Sequence, residues 1–180
     1  MQMVLTTAAA LSAVIWIYLL VARDGFWRGR ERLHPSSQEP VRWPSVAAVV
    51  PARDEADTIW KCLKSLAEQD YPGNFRVVMV DDSSRDGTGD IARSVAAQAT
   101  RSIVVVSGAP LEAGWTGKLW ALNQGVRAVL TAGEPDFLWF TDADIAHGPG
   151  TLRELVAKAS ELDMDKVRAD LAQKQGSQNA

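Results

Sequence analysis

Thr141-Asp142-Ala143-Asp144 follows directly on an apolar run, Phe137-Leu138-Trp139-Phe140. That run is short, bulky and bounded by Pro135 and Gly148, which predicts a buried strand over 137–141 with two carboxylates at its end. In extended backbone alternate side chains share a face, so Asp142 and Asp144 would point the same way. Two carboxylates so placed repel each other unless a cation lies between them or water solvates both. A hard divalent ion, Mg²⁺ or Mn²⁺, suits such a pair, because it needs few protein oxygens and accepts phosphate oxygens to complete its shell.

Carboxylates at one strand end are common turn and helix caps, so the elements that position them decide how to read the pair. Val46-Ala47-Ala48-Val49-Val50 predicts a buried strand stopping at Pro51, and Thr58 to Gln69 a helix with Ile59, Cys62, Leu63 and Leu66 on one face, capped by Asp54 or Asp57. After the turn at Tyr71-Pro72-Gly73-Asn74 come a strand from Phe75 to Val80, a helix entered through Asp86-Gly87-Thr88, and a strand from Ile103 to Val106. A helix from Lys118 to Leu130, the strand at 137–141 and a helix from Thr151 complete four strand–helix units. Strands without polar alternation are buried on both faces, which predicts an α/β fold with a mostly parallel sheet and flanking helices. Ligands of such sheets bind beyond the carboxyl ends of the strands, at the point where the topology reverses. The polar residues Arg53, Asp54, Glu55, Asp81, Asp82, Asp142 and Asp144 all fall at those ends.

Composition narrows the partners. The 180 residues carry a net charge of −3 with a pI near 5.4, which argues against a nucleic-acid-binding surface. The single cysteine, Cys62, precludes an intrachain disulfide and falls on the apolar face of its helix. Residues 3–22 contain no charged side chain, a length of about 30 Å as a helix at about 1.5 Å per residue. Arg23, Arg28, Arg30 and Arg32 follow, with Trp27 among them as an interfacial anchor. Residues 1–22 therefore read as a single transmembrane anchor, 23–45 as a basic, proline-containing linker, 46–162 as the folded domain and 163–180 as a polar tail. The positive-inside bias places the folded domain in the cytoplasm.

Common nucleotide folds do not match. Pro51-Ala52-Arg53-Asp54-Glu55 stands where a dinucleotide-binding domain has G-x-G-x-x-G. No P-loop occurs, and Gly114-Trp115-Thr116-Gly117-Lys118 has the wrong spacing for one. There is no G-x-S-x-G elbow. The segments Val49–Glu55, Val80–Thr88, Gly117–Gly125 and Thr141–Asp144, in that order across residues 46–160, resemble glycosyltransferase family 2 of the GT-A fold. The stretch Gly114–Trp120 and the N-terminal anchor look more narrowly like the glycosyltransferases associated with hopanoid synthesis.

The resemblance implies a transferase that moves a sugar from a nucleotide diphosphate sugar to a lipid acceptor, possessing Mg²⁺ or Mn²⁺ as cofactor. It implies that Pro51, Ala52, Arg53 and Glu55 line the pocket for the base and ribose. It implies that Asp82 or Asp81 accepts a hydrogen bond from the base while the other caps the turn. Lys118 would approach the diphosphate or sugar, Asp142 the sugar and metal, and Asp144 the metal. Arg85 and Asp86 read as turn formers, Asn123 as an exposed helix residue, and His147 as a loop residue near the metal pair. Family members continue beyond the Asp-x-Asp into an acceptor half that supplies the general base. The motifs of that half are not found here, so the chain reads as the donor half and no catalytic base is assigned. The alternative is an inert nucleotide-sugar-binding or membrane interaction module.

Overall fold

The computed structural model describes residues 2–21, 40 and 42–160, with the side chains of 2–5, 8 and 21 left aside. Expectations for most of the linker and for the tail beyond residue 160 fall outside the described residues. The chain divides into two compact units, Met1–Pro35 and Ser36–Ala180. The first contains helix α1, Gln2–Val21, twenty residues without a charge. Its side chains Leu11, Val14, Ile15, Trp16 and Ile17 are all exposed. Among the described residues no helix is long and apolar enough to cross a membrane.

The second unit is the sheet domain. Strands β1 (Val46–Ala52), β2 (Phe75–Asp81), β3 (Ile103–Ser107) and β4 (Phe137–Phe140) form one sheet in the order β3-β2-β1-β4. All three pairings are parallel, with Val49 level with Val78 and with Phe140. Four helices connect or follow the strands: α2 (Ile59–Ala67), α3 (Thr88–Gln98), α4 (Gly117–Thr131) and α5 (Thr151–Ser160). Alternation of side chains sorts the core into two layers. Val46, Ala48, Val50, Val77 and Met79 pack with Ile59, Leu63 and Leu66 of α2, Ala92 of α3, and Leu152 and Val156 of α5. Ala47, Val49, Val78 and Val80 pack on Ala121 and Val129 of α4. The chain steps outward from β1 to β3, then returns through α4 to the other side of β1, so the topology reverses between β1 and β4.

Pro51 lies inside β1, level with Val80, where the sequence predicts that the strand has stopped. Proline lacks the N–H that a central strand needs, yet nothing is lost here. Odd residues of β1 turn their backbone toward β4, as the bond from the Thr141 N–H to the Val49 carbonyl shows. β4 ends at Phe140, level with Val49, so the position beyond has no ladder partner to disappoint. Even residues face β2, where the Asp82 N–H still reaches the Ala52 carbonyl at 2.8 Å. Pro51 thus ends the pairing on the β4 side and leaves a gap between the two strand ends.

Helix α4 lies close on the sheet because it carries Gly125. A Cβ there would run into Val49 Cγ1 and come within 3.1 Å of Val80 Cγ2, both β-branched and buried. Gly125→Ala gains about 1 kcal/mol of helix propensity but overpacks a rigid site, a penalty of about 1–3 kcal/mol. The net expectation is a loss of up to about 2 kcal/mol in denaturant unfolding. A raised midpoint would contradict the close approach.

The expected caps of α2 are not formed. Its N-cap is Thr58, which makes no side-chain cap bond, and the Glu55 carbonyl receives the Thr58 and Ile59 N–H groups instead. The Asp54 carboxylate accepts from the Arg85 N–H at 2.8 Å, so it serves a neighbouring loop rather than its own helix.

Candidate functional site

A cavity of about 320 Å³ opens at the gap between the ends of β1 and β4. Each element contributes by its position. Pro51 and Ala52 close β1, Arg53 and Glu55 begin the loop after it, Asp82 follows β2, Gly117 and Lys118 begin α4, and Asp142, Ala143 and Asp144 follow β4. Every site residue proposed from the sequence lines this cavity except Asp81. The Asp81 carboxylate accepts the Ser84 N–H at 3.0 Å and lies against Gly89, where a Cβ would collide with it. Of the two neighbouring aspartates, Asp81 holds the turn and Asp82 faces the cavity, 3.5 Å from the Arg53 guanidinium.

Asp142 and Asp144 do reach one space, but not by the route expected. β4 ends at Phe140, and Asp142–Asp144 forms a turn closed by the Ile145 N–H on the Asp142 carbonyl at 3.4 Å. Ala143 is buried while both aspartates are exposed, so the turn presents the carboxylates and hides the small residue between them. The Lys118 ammonium lies 2.7 Å from Asp142 Oδ1. Both groups are at least half exposed, so the pair is worth under about 1 kcal/mol and is exchangeable. Gly117 keeps the wall open, since a Cβ there would stand 3.3 Å from Asp82 Oδ2.

Two other groups near the pair are settled by their contacts. His147 Nε2 meets the Thr141 hydroxyl at 2.7 Å and its ring lies 4.7 Å from that of Trp139. Burial holds its imidazole below the usual histidine range. The Cys62 thiol is pushed up to about 12 by burial and then by the charges of Asp144 and Asp142, so it stays a thiol and packs as the sequence predicts. Asn123 is partly buried rather than exposed, and its amide nitrogen has no hydrogen-bond partner among the described residues.

Sequence reading missed how the first two loops are joined. Asp54 and Ser83 both adopt positive φ, 53° and 59°, a conformation that asparagine and aspartate tolerate better than most residues. The Asp54 N–H donates to Ser84 Oγ at 3.0 Å and the Glu55 N–H to Thr88 Oγ1 at 2.8 Å. Asp86 accepts the Ala56 N–H at 2.9 Å and the Thr88 hydroxyl at 2.6 Å. The turn formers Asp86 and Thr88 therefore bind the loop after β1 to the loop after β2, holding Arg53 and Asp82 side by side. The only sequence signal was Asp86-Gly87-Thr88 at a helix start, which is equally common in ordinary caps.

The Thr88 hydroxyl first, then the Ala56 and Thr88 N–H groups, hold the Asp86 carboxyl below its ordinary 3.8. A lowered folded value means that the contribution is present above about pH 4 and is lost as pH falls through the folded value. The amide signals of Ala56 and Thr88 are expected to stay constant from neutral pH to about 4 and to shift below it. A midpoint above the ordinary carboxylate range would contradict the latch.

The donor set at Asp142 and Asp144 is hard oxygen. Among the described residues no cluster of three or more histidine, cysteine, aspartate or glutamate side chains could hold a metal ion. Two carboxylates on an open rim fit an ion that keeps water and takes phosphate oxygens, which describes Mg²⁺ and Mn²⁺.

Comparison with known proteins agrees with this fold. The pattern described as Glycosyl transferase family 2 matches residues 47–177, and the chain belongs to that family. An N-acetylglucosaminyltransferase of Bradyrhizobium elkanii is 29% identical over 141 residues, 74% of this chain and 70% of that protein. A 4,4'-diaponeurosporenoate glycosyltransferase of Staphylococcus haemolyticus is 32% identical over 56% of this chain and 24% of its own length. Among solved structures, the mannosyltransferase PcManGT from Pyrobaculum calidifontis in complex with GDP-Man and Mn2+ superposes with a TM-score of 0.58 at 27% identity. That match covers 86% of this chain and 42% of the mannosyltransferase. The fold is therefore GT-A-like α/β, and the chain spans less than half of that structure.

Proposed function

We propose that the chain binds a nucleoside diphosphate sugar and serves sugar transfer to a lipid acceptor at a membrane. The observation that carries this reading is the meeting of Asp82, Lys118, Asp142 and Asp144, from three separate strand–helix junctions, around one cavity. Pro51 and Ala52 offer an apolar wall for the base, with Arg53, Glu55 and Asp82 as polar partners for base and ribose. Lys118 supplies a compact positive charge to the diphosphate, leaving Asp142 as it does so. Asp142 and Asp144 would hold Mg²⁺ or Mn²⁺. When bound, that ion supplies positive charge against the charge that gathers on a departing diphosphate. Mn²⁺ in the complex of the mannosyltransferase supports the assignment of a divalent ion.

Support for a lipid acceptor comes from the similarity to the 4,4'-diaponeurosporenoate glycosyltransferase and from the uncharged run at residues 3–22. No helix among the described residues has the length and apolarity of a span, so the anchor reading of residues 1–22 rests on the uncharged run 3–22 and the arginines after it, which would keep residues 46 onward in the cytoplasm. The Gly114–Trp120 stretch makes a polycyclic lipid of hopanoid type the narrower candidate. The test uses the full chain in lipid vesicles with Mn²⁺ and sugar-labelled nucleoside diphosphate donors of different bases. Label in the lipid phase is the expected result. Binding without transfer would make the chain an inert donor-binding module, and extraction by alkaline carbonate would remove the anchor assignment.

A further inference from the structure

Gln69 is almost wholly buried, at 2% exposure, and no atom of it reaches the cavity. A buried amide is retained only where its hydrogen bonds are met, and those of Gln69 connect three elements. Its Nε2 donates to the Ser65 carbonyl of α2 at 2.9 Å and to the Gly148 carbonyl at 2.8 Å. Its Oε1 accepts the Leu152 N–H in the first turn of α5 at 2.9 Å. Next to it, the Asp70 N–H donates to the Pro149 carbonyl at 2.7 Å. Arg101 steadies the other side by donating to the carbonyls of Gln69 and Tyr71 at 2.7 and 3.0 Å.

The segment so gripped is the far limb of the loop that carries Asp142 and Asp144. Its middle is fixed from the same helix, since the His147 N–H donates to Ser65 Oγ at 3.0 Å and the His147 ring holds Thr141. Among the described residues the aspartate carboxylates have no comparable support: that of Asp142 meets only the exchangeable Lys118, while its backbone carbonyl accepts from the Cys62 thiol of α2 at 3.5 Å. Where the carboxylates stand is therefore decided from behind, at α2.

We propose that Gln69 is a positioning residue for the Asp142–Asp144 pair, so that cation-assisted binding of a nucleoside diphosphate depends on it. The inference rests on the reading that this pair holds the cation. A purely structural Gln69 would alter overall stability and leave the effect of the cation unchanged. A positioning Gln69 would alter the effect of the cation and leave cation-free nucleotide affinity unchanged.

The experiment is calorimetric titration of the full chain with UDP and with GDP, each with and without Mn²⁺, alongside thermal unfolding. Gln69→Met keeps the length of the side chain and removes its hydrogen bonds. It is expected to lower the gain in affinity from Mn²⁺ by about tenfold, the scale of losing support around a metal ligand, with cation-free affinity unchanged. Ser65→Ala, which frees the His147 N–H, is expected to lower that gain in the same direction by a smaller factor, and it carries the test if Gln69→Met does not fold. A folded variant that keeps the full gain overturns the positioning role alone. A wild-type chain that gains nothing from Mn²⁺ overturns the cation reading and this inference with it.

Discussion

Asp144→Ala is expected to erase the gain in nucleotide affinity that Mn²⁺ gives and to slow sugar transfer at least about 100-fold, the scale of losing one electrostatic support at a charged leaving group. The reason is the shortage of alternatives. Among the described residues no third carboxylate, histidine or cysteine stands with Asp142 and Asp144 to complete a metal cluster. Asp142 already has a competing partner in Lys118, 2.7 Å away. With Asp144 removed, one carboxylate would have to hold a divalent ion against an ammonium group beside it. Cation-free affinity should stay the same, because Asp82 and the walls at Pro51 and Ala52 are untouched. Equal affinity of the wild-type chain with and without the ion would remove the basis of the prediction.

Thr88→Val should destabilise the domain by about 2–3 kcal/mol and weaken donor binding with it. Thr88 is completely buried, and its hydroxyl both accepts the Glu55 N–H and donates to Asp86. Valine fills the same space with a methyl group, so the loss isolates the hydrogen bonds rather than a cavity. The Glu55 N–H would then lack its partner and Asp86 its strongest donor. Thr88→Ser retains the hydroxyl and should recover most of the loss. If valine were tolerated without change in the unfolding midpoint, the two loops would not depend on this contact.

Much of this was legible in the sequence, for physical reasons that differ by element. β1 and β2 follow from apolar runs buried on both faces, whereas the equally apolar outer strands β3 and β4, expected to be buried, leave Val104, Leu138 and Phe140 exposed, and the site follows from polar residues placed where the runs stop. Asp142 and Asp144 were found by spacing, although a turn rather than extended backbone brings them to one side. Pro51 reads in the sequence as a terminator, and it ends one edge of the pairing while the other continues to Ala52. The contacts that fix the loops were not legible. Asp54 with Arg85, Thr88 with Glu55 and Gln69 with Gly148 join residues distant in sequence through the register of the sheet. A side chain whose partner is set by tertiary register leaves no periodic trace. Gln69 looked like the polar end of a helix, where a glutamine is usually solvated.

Backbone amide mapping of the isotope-labelled chain, titrated with UDP or GDP in the presence of Mg²⁺, would locate a nucleoside diphosphate and its cation at the gap between β1 and β4 if they bind there together. The expected result is that shifts concentrate at residues 52–55, 82, 117–121 and 142–144. Shifts confined to the groove between α2 and α3, around Trp60, Lys64 and Val95, would contradict it.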